Sequence, residues 1–311
     1  MEISIKFHFS LWKIIFTVLL AALLLFSCAS GNHSVSPDSQ FYTLIDQKRY
    51  AEAEEVAKNF LDHALEQYGY NHPEVARALK DLATVYHIRK RPAEAAQLYS
   101  RALIILNESS EKDLPLAAEI FYNLAALYQD YGRYADAEPL LKQAIYIWKE
   151  TMGTDSPYIA KAITRLASNY KNRKKYLEAE YFYLLAIDLL EKNGGEENID
   201  GAYSMNNLAN IYRIQGRYSE AEVLYKKSLN ILKRASGKDT IDVAASMANL
   251  ANLYMAQGKC MEADLLLKKS KKISEKILGK KTAIAENTSS GMNMCIKSMV
   301  KTDDRTLDMQ T

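Results

Sequence analysis

The sequence predicts an all-α solenoid of about six antiparallel helix hairpins. Three observations carry this expectation: a 42-residue internal period, small and large side chains alternating at helical spacing within it, and turn residues where the period requires them. Composition agrees. The 311 residues are 48% hydrophobic and 25% charged, enough for a sizeable core, and only 12 glycines and 6 prolines are present to make turns. Long helices with short connections suit that economy better than many strands. Forty basic against 38 acidic side chains leave a formal charge of +2, without the concentrated positive field that nucleic-acid binding needs.

The first element differs from the rest. Lys6 and Lys13 precede a 13-residue uncharged run, Ile14 to Phe26. A membrane-spanning helix needs roughly 20 apolar residues and a signal-peptide core about 7 to 15, so residues 1–27 are read as a signal peptide. Leu25-Phe26-Ser27-Cys28 closes the run and resembles the lipobox of bacterial lipoproteins. The resemblance implies cleavage before Cys28 and its lipidation, including a palmitate. With Ala29 rather than Asp next, and in a Gram-negative host, it implies the periplasmic face of the outer membrane. An uncleaved anchor, or an ordinary secretory signal followed by an incidental Cys, are the other readings of these residues. Residues 28–36 would be a short polar tether.

The solenoid is expected over residues 37–279. Its first helix, near Asp38 to Gln47, lacks the signature of the others. From the second hairpin on, first helices carry Leu82-Ala83, Leu124-Ala125, Leu166-Ala167, Leu208-Ala209 and Leu250-Ala251, each pair 42 residues from the next. Tyr86, Tyr128, Tyr170, Tyr212 and Tyr254 follow each Leu by four, one helical turn along the same face. Second helices carry Ala53, Ala95, Ala137, Ala179, Ala221 and Ala263 at the same period. Four residues on stands Tyr99, Leu141, Tyr183, Tyr225 or Leu267, and seven on stands Ala102, Ala144, Ala186, Ser228 or Ser270. Small residues let paired helices approach, and large ones fill the space toward the next hairpin.

Turn chemistry falls between these faces. Gly132, Gly216 and Gly258 separate first from second helices, with Lys90 and Lys174 in the equivalent places, and Gly69, Gly153, Gly195 and Gly237 follow second helices. Asn71, Asp113, Asp155 and Asp239 precede the next first helices, with Pro73, Pro115 and Pro157 two residues later, the cap-then-proline order of helix starts. The last second helix carries Lys268, Lys269, Lys271, Lys272 and Lys276, read as the polar outer face of a terminal repeat. Residues 280–311 have no period and are expected to form a mobile tail.

Leu-Ala-x-x-Tyr followed by Gly-x-Tyr-x-x-Ala-Glu, as in NLANIYRIQGRYSEAEVLY, resembles the tetratricopeptide repeat (TPR) family, in its 42-residue, kinesin-light-chain-like form. The resemblance implies a right-handed superhelix whose concave groove, lined by first helices, binds a protein or an extended peptide.

No catalytic or metal pattern competes with that reading. His8, His33, His63, His72 and His87 are scattered, no phosphate-binding loop or G-x-S-x-G occurs, and Glu54-Glu55 and Glu196-Glu197 are read as solvated surface. The chain is therefore expected to be non-enzymatic, with no cofactor, metal, nucleic acid or small-molecule substrate. The TPR register implies groove positions. Asn123, Asn207 and Asn249 stand two before the repeat Ala, Asn210 and Asn252 one after, and Tyr122 and Tyr203 also face the groove. Asn side chains both donate and accept, so such a ladder can bind a peptide backbone. Lys80, Thr84, Asn123, Lys161 and Arg165 occupy the places that hold Lys, Asn, Asn, Lys and Arg in carboxylate-clamp TPR domains, which bind a partner's C-terminal carboxylate; Thr84 is the departure. The functional expectation is a membrane-anchored adaptor in an envelope complex. Alternatives are an envelope-polymer-binding structural protein using the Lys-rich end, or a regulatory subunit of a membrane-bound enzyme.

Overall fold

A computed structural model describes residues 37–194 and 198–279. The signal segment, Cys28, the tether and the expected tail lie outside the described residues. Within them the chain forms α1 (Pro37–Asp46), α2 (Tyr50–Tyr68), α3 (Pro73–Ile88), α4 (Pro92–Glu108), α5 (Leu114–Asp130) and α6 (Tyr134–Met152). It continues through α7 (Pro157–Asn172), α8 (Tyr176–Gly194), α9 (Ile199–Ile214), α10 (Tyr218–Ala235), α11 (Ile241–Ala256) and α12 (Cys260–Leu278). Each odd-numbered helix pairs with the next as a hairpin, and each hairpin packs on its successor. All six expected hairpins are present, the first opening on the short α1.

The period explains the packing. Every repeat Ala, from Ala53 to Ala263 on second helices and Ala83 to Ala251 on first helices, is fully buried. A methyl group is all that the approach of backbones leaves room for. Tyr99, Leu141, Tyr183, Tyr225 and Leu267 are buried four residues on. Truncating one of the leucines would cost roughly 2–5 kcal/mol. Where Ser replaces the third Ala, its hydroxyl is satisfied inside the hairpin: Ser228 donates to the Ala202 carbonyl and Ser270 to that of Ala244, both at 2.7 Å.

Two further contacts recur at the period. From the second hairpin on, the residue before the second helix lays its cation on the repeat Tyr: Arg91 on Tyr86, Arg133 on Tyr128, Lys175 on Tyr170, Arg217 on Tyr212 and Lys259 on Tyr254. The Glu after the second-helix Ala staples consecutive hairpins. Glu138, Glu180 and Glu222 accept from the hydroxyls of Tyr170, Tyr212 and Tyr254 at 2.8, 3.0 and 3.1 Å. Glu54, expected at the surface, is instead buried and paired with Lys58 and Arg89, because its helix turns that position toward the following hairpin.

Lys48, Lys90 and Lys174 share positive φ with Gly132, Gly216 and Gly258, so the turn inside each hairpin demands a left-handed residue whichever side chain is there. Helix starts depart from expectation by one residue. Asp113 does cap α5, but His72, Thr240 and Ser156, not Asn71, Asp239 and Asp155, stand at the caps of α3, α11 and α7. His72 Nδ1 accepts from the Glu74 amide and the Thr240 hydroxyl from that of Val243. Cys260 is disulfide-bonded. None of the described helices is long and apolar enough to cross a membrane.

Curvature positions the site. The first helices α3, α5, α7, α9 and α11 each approach the next one in line, and second helices make no comparable approach. The first helices therefore lie on the inner side of the curve.

Candidate peptide-binding groove

Leu, Ala and Tyr of each first helix point into the hairpins, which leaves the positions flanking the Ala to face the inner side. Two adjoining hollows open there. One, of about 560 Å³, is lined by Arg77 of α3, Glu119, Tyr122 and Asn123 of α5, Trp148 of α6, and Tyr158 and Lys161 of α7. The second, of about 440 Å³, is lined by Tyr122, Gln129, Lys161, Arg165, Asp200, Tyr203 and Asn207. Sharing Tyr122 and Lys161, they make one groove across α3, α5, α7 and α9.

Its wall is aromatic. Trp148 is buried, with Tyr122 tilted against it at 5.8 Å between centroids and the exposed Tyr158 stacked on it at 5.5 Å. The Arg165 guanidinium lies 4.8 Å from the Tyr122 ring centroid. Its Nη1 reaches Gln129 Oε1 at a long 3.4 Å, and its Nε is buried with no partner among the described residues. A guanidinium so placed keeps donors for an incoming acceptor. Lys161 is exposed and only loosely paired with Asp200, at 3.7 Å, whereas Arg77 is held by Asp113 at 2.9 Å.

The groove thus contains three members of the clamp-like set, Asn123, Lys161 and Arg165. The other two line neither hollow. Lys80 is 3% exposed and bound to Asp81, Glu119 and the Tyr42 hydroxyl at 3.1, 3.0 and 2.9 Å. Burial opposes its charge, but these partners outweigh burial and raise its pKa. Thr84 donates to the Lys80 carbonyl at 2.9 Å and meets the Tyr99 hydroxyl at 3.0 Å.

The asparagines divide similarly. Asn207 accepts from Lys171 at 2.7 Å and donates to the Tyr203 carbonyl, Asn210 accepts from Arg213, and Asn249 donates to Asn206. Asn252 is exposed on α11. Tyr203 lines the second hollow, and its pKa is pushed up to about 12 by burial and by the neighbouring Asp242 and Asp200. Sequence reasoning missed Trp148, Tyr158 and Lys171. Trp148 and Tyr158 lie at the far end of a second helix and the first turn of the next helix, outside the positions flanking the repeat Ala. Burial lowers the Lys171 pKa, and its bond to Asn207 spans two hairpins, which no single-repeat pattern contains. No group of three or more His, Cys, Asp or Glu among the described residues could hold a metal ion.

Consecutive helix hairpins around an inner groove of cations and aromatic rings define an αα-solenoid scaffold for protein–protein interaction. The tetratricopeptide repeat model matches residues 42–108, 116–192, 158–234 and 199–276, and the chain belongs to that family, whose members are typically non-catalytic. No curated protein matches the sequence significantly. Among solved structures, BtubC (BKLC) from P. vanneervenii is similar at 24% identity and a TM-score of 0.64, over 76% of this chain and 93% of that one. A Podosopora anserina kinesin-light-chain protein of nearly identical TPR-like repeats is 25% identical with a TM-score of 0.57, over 66% and 97% of the two chains. PilF of Pseudomonas aeruginosa shares the fold at 16% identity and a TM-score of 0.55, over 81% of this chain and 95% of that one.

Proposed function

We propose that the protein is a membrane-anchored, non-enzymatic adaptor of the bacterial cell envelope that holds an extended peptide of a partner protein in the groove of α3, α5, α7 and α9. The observation that carries the reading is the shared wall of the two hollows, where the Trp148–Tyr122–Tyr158 cluster adjoins Lys161 and Arg165. An aromatic cleft takes an apolar side chain. The adjoining ammonium and guanidinium take an acidic residue or a C-terminal carboxylate, so the ligand pairs an apolar anchor with a carboxylate a short distance along the peptide.

The 13-residue apolar run ending at Cys28 supports the anchor, and the lipobox resemblance with Ala29 supports the outer membrane. Lipid on Cys28 and a tether over residues 29–36 would hold the solenoid close to the bilayer.

Charge reversal tests the groove. Lys161→Glu with Arg165→Glu is expected to abolish in-cell crosslinking of the partner while leaving helical circular dichroism intact; unchanged capture rejects the site. Cys28→Ser is expected to abolish palmitate labelling and release the chain from the membrane fraction. Persistence of both would remove the anchor from the proposal.

A further inference from the structure

The last junction of the solenoid reverses the charge pattern of the one before it. There α10, α11 and α12 enclose a hollow of about 650 Å³ lined by Lys233, Lys238, Lys269, Lys272 and Lys276, with Asp239 the single acidic residue among the described lining. Met247 and Ile273 contribute its apolar lining. A terminal repeat needs a polar outer face, and Lys268, paired with Asp264 and pointing to solvent, fits that role. Lys269, Lys272 and Lys276 are exposed too, but they line the hollow.

The period makes the comparison direct. One repeat earlier, Glu191 stands where Lys233 stands and Lys227 where Lys269 stands, and those two join at 2.8 Å. At the last junction the acidic partner has become a lysine, so two ammonium groups face each other across the same geometry. Lys276 has Asp239 at 3.1 Å, but Lys233, Lys238, Lys269 and Lys272 have no carboxylate partner among the described residues. Burial, and then the charges of Lys269 and Lys238, lower the pKa of Lys233. Like charges held together in a concave site raise the local concentration of an anion, and an anion there relieves their repulsion.

We infer that this hollow binds a ligand carrying two or more phosphate groups. Lysine ammoniums are point charges that can approach a tetrahedral oxyanion from several directions, and no arginine fork for planar carboxylate recognition is among the described lining residues. No aromatic side chain is among them either, so the site offers nothing on which a nucleobase could stack. The shared chemistry could come from a diphosphorylated lipid headgroup or from a soluble oligophosphate.

Calorimetry of the full chain in detergent with inorganic tripolyphosphate tests the site. At about 50 mM salt we expect saturable binding, weakened roughly tenfold or more by Lys233→Glu and by Lys269→Ala. Lys227→Ala at the preceding junction should leave it within about twofold. Lys233→Glu recreates the Glu–Lys pair of that junction, so it should fold, melt higher than the parent without phosphate, and lose the phosphate-induced rise in Tm. With Cys28→Ser in place so that no lipid anchor contributes, flotation with cardiolipin vesicles that is lost on adding Lys233→Glu identifies a lipid headgroup, and tripolyphosphate binding without flotation identifies a soluble ligand. Absence of both heat and Tm rise in the parent, or their survival in Lys233→Glu, overturns the inference.

Discussion

Replacing Glu138 with Gln would test how consecutive hairpins are fastened. The Glu138 carboxylate accepts from Lys142 Nζ at 2.7 Å, from the Tyr170 hydroxyl at 2.8 Å and from Arg173, so it joins α6 to the next first helix and the turn beyond. Burial opposes its charge, but the hydrogen bonds from Lys142, Tyr170 and Arg173 outweigh burial and hold the carboxyl down to about 2, from an ordinary 4.5. Gln keeps the shape and one acceptor but loses the charge. Charge-assisted hydrogen bonds contribute about 1.5–3 kcal/mol each, and Lys142 recovers water when released, so the net cost at pH 7 is about 1–2 kcal/mol after screening. Because the folded pKa lies below the unfolded one, the stabilisation is complete above about pH 4.5 and is lost as pH falls toward 2. The Gln variant never has it, so the two proteins should converge over that interval. Urea unfolding followed by circular dichroism, repeated from pH 7 to pH 2.5, measures the gap. Equal stability at pH 7, or a gap that does not narrow in acid, would refute the staple.

The other predictions use the turns and the aromatic wall. Lys174 has φ of 58° where Gly216 holds the same turn at 77°, so Lys174→Gly should stabilise by about 1 kcal/mol and raise Tm by roughly 2–4 °C in a scanning melt. A lower Tm would mean that the side chain contributes more than its backbone strain costs. In the chain cleaved before Cys28, as proposed, Trp148 is the sole indole, and Tyr158→Ala should expose it and shift its emission to the red. Addition of a crosslinking partner peptide should perturb that emission in the otherwise unmutated protein; an unchanged spectrum would put the peptide elsewhere.

The fold was legible because its repeat writes each packing contact several times over. Leu-Ala and Tyr at a fixed period identify a buried face even where Tyr128 and Tyr254 are only half-buried. Cap residues were legible only to within one position, since His72 and Thr240 serve as well as the Asp or Asn beside them. The carboxylates were harder, because Glu54 and Glu55 are alike in sequence and one helical step decides which is buried. The groove was legible where it depends on first helices alone, as at Tyr122 and Asn123. It was not legible at Trp148, Tyr158 and Lys171, whose positions depend on how one hairpin meets the next.

That dependence also bears on which groove residues select a partner. Lys80 and Thr84 match the clamp pattern by position, yet their polar atoms are committed to α1, α4 and α5 through Tyr42, Tyr99 and Glu119. Recruiting Lys80 to a ligand would break its buried pair with Asp81 and its bond to Glu119, and removing one partner of a buried ion pair costs several kcal/mol. Lys161 has only a loose and exposed partner, and Arg165 has an unsatisfied buried Nε, so their engagement breaks little. A carboxylate bound as proposed would therefore gain its free energy at the junction of α5, α7 and α9, beside Tyr122. Residues of the second hairpin shape the groove's end rather than its affinity. A ligand bridging α5, α7 and α9 also touches three hairpins whose mutual contacts are nearest-neighbour only, so its binding energy adds to those junctions and stiffens the middle of the solenoid.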